Sequence, residues 1–504
     1  MKKYIRAAVL LTLIATMSQP SGFSQNSKYK MTTPIPEGIE APEKINSGRL
    51  GPLHLKDGFP DTETTSKLFD NLDFQRAVQS YLLGLPGVSL VAMKKALAEL
   101  GPPNESVAIF EDLMDSRSLF LTANDNTPYT LIWIDLSKGP IVLEAPPKVL
   151  GTMDDYWFHW VTDIGVTGPD QGQGGKYLLL PPDYKGSIPE GYHLVRPRTN
   201  NNLVFWRSFL VNGDPKPGVE LIKKHTRIYP LTGGNPELSP KFVNVSAKQF
   251  NTIAPADYAF WKDLAELINQ ESAAALDPVT MGFFASIGIS KGSGFQPDER
   301  MRKILTEAAA VADASVRALT YRSRDTRRNY YPNSAWCKAF VGGYKFEEPA
   351  GVLNLDAYSS FFFYATGITP AMEQKMVGKG SQYACAFVDS KKEALDGGKQ
   401  YKLHLPPNIP VKDFWSVLVY DNQTRSMLQS DQKFPALSSQ SKELAFNPDG
   451  SVDIFFGPKA PPGKENNWIQ TIPNKGWNTI LRLYGPLESW FDMSWKPGEI
   501  EEVK

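Results

Sequence analysis

The chain has 504 residues, 54 Lys+Arg against 54 Asp+Glu, 41% hydrophobic and 12% aromatic residues, and two Cys with five His. That apolar content excludes a disordered chain, and the balanced charge offers no global attraction to nucleic acid or an anionic membrane. Two Cys and five scattered His exclude a zinc ribbon or a His-rich metal cage at any recognised spacing.

Lys2, Lys3 and Arg6 precede the apolar run Ala7 to Met17. That run suits a signal h-region and is too short to span a bilayer, which takes about 20 residues. Gly22 and Ser24 place small residues at the two key positions of a cleavage site before Gln25. Residues 1–24 therefore read as a secretory signal peptide, and the destination as periplasmic or extracellular. No Cys lies near the site, which argues against lipid attachment. No later stretch approaches 18 consecutive apolar residues, so no membrane span is expected. The remaining length predicts two or three domains.

Residues 25–65 are rich in Pro, Gly and polar residues and read as an extended N-terminal arm. Ser66 to Leu83 and Leu90 to Leu100 have helical spacing, the second ended by Gly101-Pro102. Six short runs rich in aromatic and β-branched residues follow: Thr130 to Leu136, Ile141 to Ala145, Tyr156 to Ile164, Tyr177 to Leu180, His193 to Arg196 and Leu203 to Val211. With the two helices they make a domain over residues 66–220. Ala256 to Gln270, Pro278 to Ser286 and Asp298 to Arg322 read as helices within an insert and linker over 221–375. Strands return at Tyr383 to Val388, Tyr401 to Leu405, Phe414 to Tyr420, Val452 to Phe456 and Thr479 to Tyr484, in a second β domain over 376–504. The expected class is mainly β with a helical insert (α+β).

The C-terminal segments Gly367-Ile368-Thr369-Pro370, Gly380-Ser381-Gln382-Tyr383, Leu403-His404-Leu405-Pro406-Pro407, Phe414-Trp415-Ser416-Val417, Asn467-Trp468-Ile469 and Arg482-Leu483-Tyr484-Gly485-Pro486 occur in an order that resembles domain of unknown function 1214. Upstream, Asn124-Asp125-Asn126-Thr127-Pro128-Tyr129, Asp135-Leu136 and Gly139-Pro140 resemble its usual N-terminal companion, domain of unknown function 1254. That companion usually has Asp where this chain has Asn126. The resemblance implies bacterial exported proteins with two jelly-roll-like β-sandwich domains and no settled activity.

His159 and Tyr129 are the candidate acid–base residues. A strand over Tyr156 to Ile164 would put Asp155, His159 and Asp163 on one face. Residues four apart on a strand are separated by about 13 Å, so the three could not grip one ion or proton. The alternative for His159 is a hydrogen-bonded structural imidazole. Asn124, Asn126 and Arg207 are candidate substrate-binding residues for a ligand with hydroxyl or carboxylate groups. Asn124-Asp125-Asn126 also reads as a turn whose side chains bond their own backbone. Arg482 shares a strand face with Tyr484 and could clamp a ligand or pair with Asp421 or Asp453. Arg322 belongs to a basic cluster with Arg324, Arg327 and Arg328, followed by Tyr330 and Tyr331, suited to bind an anion or stack on a sugar, or else to form a solvated face or a domain-interface tie.

Gly288-Ile289-Ser290-Lys291-Gly292 matches G-x-S-x-G only as letters, because a nucleophile elbow needs a strand before and a helix after the Ser. Gly172 to Lys176 lacks the spacing of a phosphate loop. No metal site is read, and no cofactor is named. Cys337 and Cys385 could be two buried thiols, or a disulfide closing about 50 residues and worth about 4 kcal/mol.

Three functions fit: an exported enzyme acting on a small polar or carbohydrate-like substrate where the β domains meet the insert; a non-catalytic glycan- or small-molecule-binding protein; or a structural protein forming a homo-oligomer.

Overall fold

The computed structural model describes residues 33–503. The segment read as a signal peptide lies outside the described residues. Residues up to Leu68 form a unit of their own. Within it, Lys44–Ser47, Gly51–Lys56 and Phe59–Pro60 make a three-stranded antiparallel sheet where the composition reads as an extended arm. Asp57-Gly58 forms its second turn with φ of 49° and 78°, the pair of positive values that a two-residue hairpin turn requires. Asp61 Oδ1 then accepts from Thr64 N at 2.7 Å and starts a helix.

That helix, Thr62–Ala98, is continuous where the sequence suggests two. Gly84, Pro86 and Gly87 weaken its middle, which is why the pattern reads as a break. Packing overrides them. Tyr81, Leu85, Val88 and Val91 are buried, and a Cβ at Gly87 would stand 2.7 Å from Leu267 and 2.8 Å from Trp157. The helix is long and apolar enough to cross a membrane, but 67% of its most apolar window is buried within the protein, as in a core helix.

The larger unit, from Phe69 onward, is mixed α+β. One six-stranded sheet has the order Lys241–Asn244, Ser106–Ile109, Tyr129–Asp135, Asn201–Arg207, Leu150–Asp155, Trp160–Gly165. A four-stranded sheet, His193–Val195, Gly175–Leu179, Ile141–Ala145, Arg227–Pro230, covers it. Ile132, Ile134, Val204 and Trp206 of the first pack on Ile141, Leu143, Tyr177 and Leu179 of the second. The C-terminal half repeats the arrangement. A five-stranded sheet, Trp336–Lys338, Ser381–Ala386, Trp477–Pro486, Val411–Asp421, Ala436–Ser438, faces a four-stranded one, Trp468–Gln470, Val452–Gly457, Gln400–Leu405, Ile500–Val503. Val417, Leu481 and Leu483 meet Leu403, Ile454 and Phe456 between them. In three of these sheets the pairs Gly175–Leu179 with His193–Val195, Ser106–Ile109 with Lys241–Asn244, and Val452–Gly457 with Trp468–Gln470 are parallel, so an edge strand departs from a purely antiparallel order.

Successive side chains on a strand point to opposite faces, and here both faces of the two larger sheets are buried. Leu131, Trp133 and Leu203 turn away from the N-terminal sandwich core, and Tyr383, Cys385, Leu418, Tyr420 and Ile480 away from the C-terminal one. All enter a third core with helices Ala259–Gln270, Glu299–Tyr321 and Leu355–Tyr364, which contribute Leu264, Ala308 and Phe361. The helical insert is thus a filling between two sheet faces. That position puts Arg207 and Arg482 indoors.

Two local expectations are corrected. Tyr156 to His159 is a turn joining Leu150–Asp155 to Trp160–Gly165, with Phe158 at φ 57°. Arg482 pairs with neither expected acid: Asp421 takes Lys475, and Asp453 lies 2.7 Å from His404 Nδ1.

Candidate functional site

A cavity of about 50 Å³ lies within the third core. Its walls are mainly apolar: Phe120, Leu131, Leu203, Phe205, Phe340 and Phe361. Its polar groups include Tyr129 and Arg207 from the N-terminal sheet, Tyr383 and Arg482 from the C-terminal sheet, and Thr122, Tyr364 and Thr366.

Arg207 ends the strand Asn201–Arg207, directly opposite Tyr129 on its neighbour. Its residue is 6% exposed. One terminal nitrogen donates to Tyr484 Oη at 3.4 Å, and the guanidinium lies 5.9 Å from the ring centre of Tyr129 and 5.5 Å from that of Tyr484. Its Nε is buried with no partner. Arg482, 4% exposed, donates to Thr122 O and, at 2.9 Å, to Tyr420 Oη, and its Nε is likewise unpartnered. Among the described residues no carboxylate lies within ion-pair distance of either.

Burial works against both positive charges, but the surrounding tyrosines hold both groups above the ordinary arginine range, so both stay cationic. Asp125 is close enough for its carboxylate to feel Arg482 and makes no ion pair with it. Burial pushes Asp125 up to about 6 against that attraction.

Asn124 bridges the two sheets. Its Nδ2 donates to Tyr129 Oη at 2.9 Å and to Tyr484 Oη at 3.0 Å, while Oδ1 accepts from Asn126 N at 2.9 Å and Thr127 Oγ1 at 3.1 Å. The segment is therefore both a self-bonded turn and a fork between the two sheets. Tyr420 Oη donates to Ala123 O at 2.6 Å. Burial raises Tyr420 and Tyr484 well above the ordinary tyrosine value despite the nearby arginines. Tyr383 differs. Burial raises it too, but the charges of Arg207 and Arg482 outweigh burial and draw it below the ordinary value.

The fold brings Asn124, Tyr129, Arg207 and Arg482 together. Asn126 supplies a backbone N–H to the turn, and its side-chain oxygen is buried without a partner. His159 and Arg322 are not cavity residues. The His159 Nδ1 sits 2.9 Å from Asp155 Oδ2, while Asp155 Oδ1 accepts from Trp157 N and His159 N at 2.9 and 3.0 Å. Arg322 is exposed and ends the helix Glu299–Tyr321, its N–H donating to Ala318 O. Sequence reasoning passed over Tyr383, Tyr420, Thr122 and Asp125. The alternation of Tyr383 with Cys385 on a fully buried strand was a usable signal, since one of its two faces had to meet something other than the sandwich core.

Cys337 and Cys385 stand directly opposite on antiparallel strands, and both are free thiols. Burial pushes the Cys385 thiol up to about 12. Asp154 and Asp163 are buried and tie the segment after Gly367 to the N-terminal sheet: Asp154 Oδ2 accepts from Ile368 N at 3.0 Å, and Asp163 Oδ1 from Thr369 Oγ1 at 2.6 Å. Among the described residues, no three His, Cys, Asp or Glu gather as a metal site would require.

Residues 104–230 match the family described as Protein of unknown function (DUF1254), and residues 380–488 match Protein of unknown function (DUF1214). No curated protein matches the chain. Among solved structures, the VPA0106 protein from Vibrio parahaemolyticus is similar at 18% identity, with a TM-score of 0.52 over 86% of this chain and 100% of that one. An uncharacterized protein from Burkholderia cenocepacia aligns at 13% identity and a TM-score of 0.38, over 88% and 97% of the two chains. The first likeness concerns the fold alone. This chain is thus a protein that joins a DUF1254 domain at residues 104–230 to a DUF1214 domain at residues 380–488.

Proposed function

We propose that the cavity binds a small organic anion, a carboxylate or comparable oxyanion carried on an apolar body. One observation carries this reading: Arg207 and Arg482 are two buried cations with no carboxylate partner, each with an unpartnered Nε, beside an apolar cavity. A buried, uncompensated charge is costly, and an anionic ligand offsets that cost where a neutral sugar does not. The apolar walls take the remainder of the ligand. Binding is favoured over catalysis because His159 lies elsewhere and Asn124 holds the Tyr129 hydroxyl. The reading includes export, supported by the signal-like residues 1–24, and takes the paired sheets as jelly-roll-like scaffolds that fix the two arginines.

The test is thermal stabilisation by sodium benzoate and sodium hexanoate, with benzamide and hexanamide as uncharged controls. Only the carboxylates should raise the melting temperature, and Arg207→Met should abolish the effect. Equal shifts from the amides, or shifts that survive in Arg207→Met, would defeat the reading.

A further inference from the structure

We propose that Cys337 and Cys385 are a redox pair: a small-molecule disulfide oxidises them to a cross-strand disulfide, which closes the segment carrying one wall of the cavity into a covalent loop. The inference stands on the geometry of the two free thiols and does not need the anion-binding reading.

Cys337 is the central residue of the strand Trp336–Lys338, and Cys385 lies directly opposite it on Ser381–Ala386. Residues so placed on antiparallel strands have Cα atoms about 4.5–5.5 Å apart and side chains on one face of the sheet. A disulfide takes a Cα separation of about 4.4–6.8 Å, so the backbone already meets its requirement. Cys337 is the sulfur an oxidant reaches first. It is half-buried and sits on the edge strand of its sheet, whereas Cys385 is 1% exposed.

The location makes the bond matter. The cavity residues Phe340, Phe361, Tyr364, Thr366, Met372 and Tyr383 all lie between the two cysteines in sequence, and Cys385 itself lines the cavity. Reduced, that segment begins on a strand of three residues. Oxidised, its two ends are tied covalently.

The chemistry suits a lasting staple more than a redox catalyst. The buried cation Arg328 acts on both thiols, yet burial outweighs it and raises both above the ordinary cysteine range. No stabilised thiolate then favours the reduced form, and a weakly acidic thiol is a poor leaving group, so the disulfide resists reduction once made. Export, as proposed above, would bring the pair to a compartment where disulfides persist.

With glutathione disulfide as oxidant, the Cys337 thiolate attacks one glutathione sulfur, forming a mixed disulfide and releasing one glutathione thiolate. The Cys385 thiolate then attacks Cys337 Sγ and releases the second. The two cysteine protons end on the two glutathione thiols. The protein loses two electrons, and glutathione disulfide gains them.

The experiment compares the full chain kept in dithiothreitol with the same protein after dithiothreitol is removed and glutathione disulfide added. Each sample is alkylated in denaturant, digested and read by mass spectrometry. The oxidised sample should contain one peptide pair linked through Cys337 and Cys385 and no alkylated cysteine. Its melting temperature should rise by about 4 °C, and protease cleavage between Lys338 and Ala384 should slow. Dithiothreitol added in denaturant should reverse the link. Cys337→Ser should gain no stability from the oxidant. Full alkylation of both cysteines after oxidation overturns the proposal, as does arrest at the glutathione adduct of Cys337 or a bond between two chains. A linked pair that changes neither melting nor cleavage overturns the hold of the loop on the cavity wall. Should Cys337→Ser not fold, oxidised against reduced wild type decides alone.

Discussion

The guanidinium of Arg207, at the end of an N-terminal strand, lies 5.5 Å from the ring centre of Tyr484 in the C-terminal sheet and donates to its hydroxyl at 3.4 Å. Asn124 reaches the same hydroxyl at 3.0 Å. The two β halves therefore share one polar junction, built on a tyrosine that both contact, beside the cavity residues Arg207 and Tyr129.

The two arginines are expected to separate stability from binding. Arg207 makes one long hydrogen bond among the described residues. Arg207→Met should leave folding stability unchanged or raise it by about 1 kcal/mol, since apolar replacement of a buried charge is often neutral or better. Arg482→Met also strands Thr122 O and the Tyr420 hydroxyl, and should cost about 1–3 kcal/mol. Urea unfolding measures both. Benzoate binding should be lost in Arg207→Met and fall about tenfold or more in Arg482→Met, the worth of one charge-assisted hydrogen bond.

Asp125 sets a pH window. Its folded value is raised from 3.8 to about 6, so between these values the native state holds a proton that the unfolded chain has released. Its contribution is fully present below the unfolded value and is lost as pH rises through the folded one, about 3 kcal/mol in all. Asp125→Asn should flatten the pH dependence of unfolding free energy across that window. A slope unchanged in the variant would assign it to other acids.

His159 should behave as part of a turn. Asp155, fully buried, receives two backbone N–H groups and the imidazole. His159→Ala should cost about 1 kcal/mol and leave benzoate binding unchanged, whereas Asp155→Ala should cost about 1–3 kcal/mol for each stranded N–H. Calorimetric melting with a binding titration reads both.

Gly367 couples backbone to cavity. Its φ is +79°, and a Cβ there would stand 2.5 Å from the ring of Phe205, a cavity wall. Gly367→Ala should lose about 1–3 kcal/mol from left-handed strain and displacement of that ring, and benzoate affinity should change with it.

Strand character was legible from residues alone. The alternation in Trp477–Pro486 separates Leu481 and Leu483 from Arg482 and Tyr484, and the structure sends the first pair into the sandwich and the second to the other face. What lay beyond that second face was not legible. His159 was misplaced because the strand pattern hides a turn held by Asp155, a contact between residues only four apart that depends on backbone direction. The break expected in Thr62–Ala98 failed for the opposite reason, since packing of Gly87 against Leu267 and Trp157 outweighs the local weakness at Pro86.

By itself, the sequence determined the alternating strands, the two β halves flanking helices, and four of the residues now found together: Asn124, Tyr129, Arg207 and Arg482. Only the tertiary structure decided that these four converge, that Tyr383 lines the same cavity, and that among the described residues no acid pairs with either arginine. The physical reason is distance along the chain. Periodicity reports which face of an element is buried, whereas the Asn124–Tyr484 bond spans 360 positions and arises only when the far faces of two sheets close on one core.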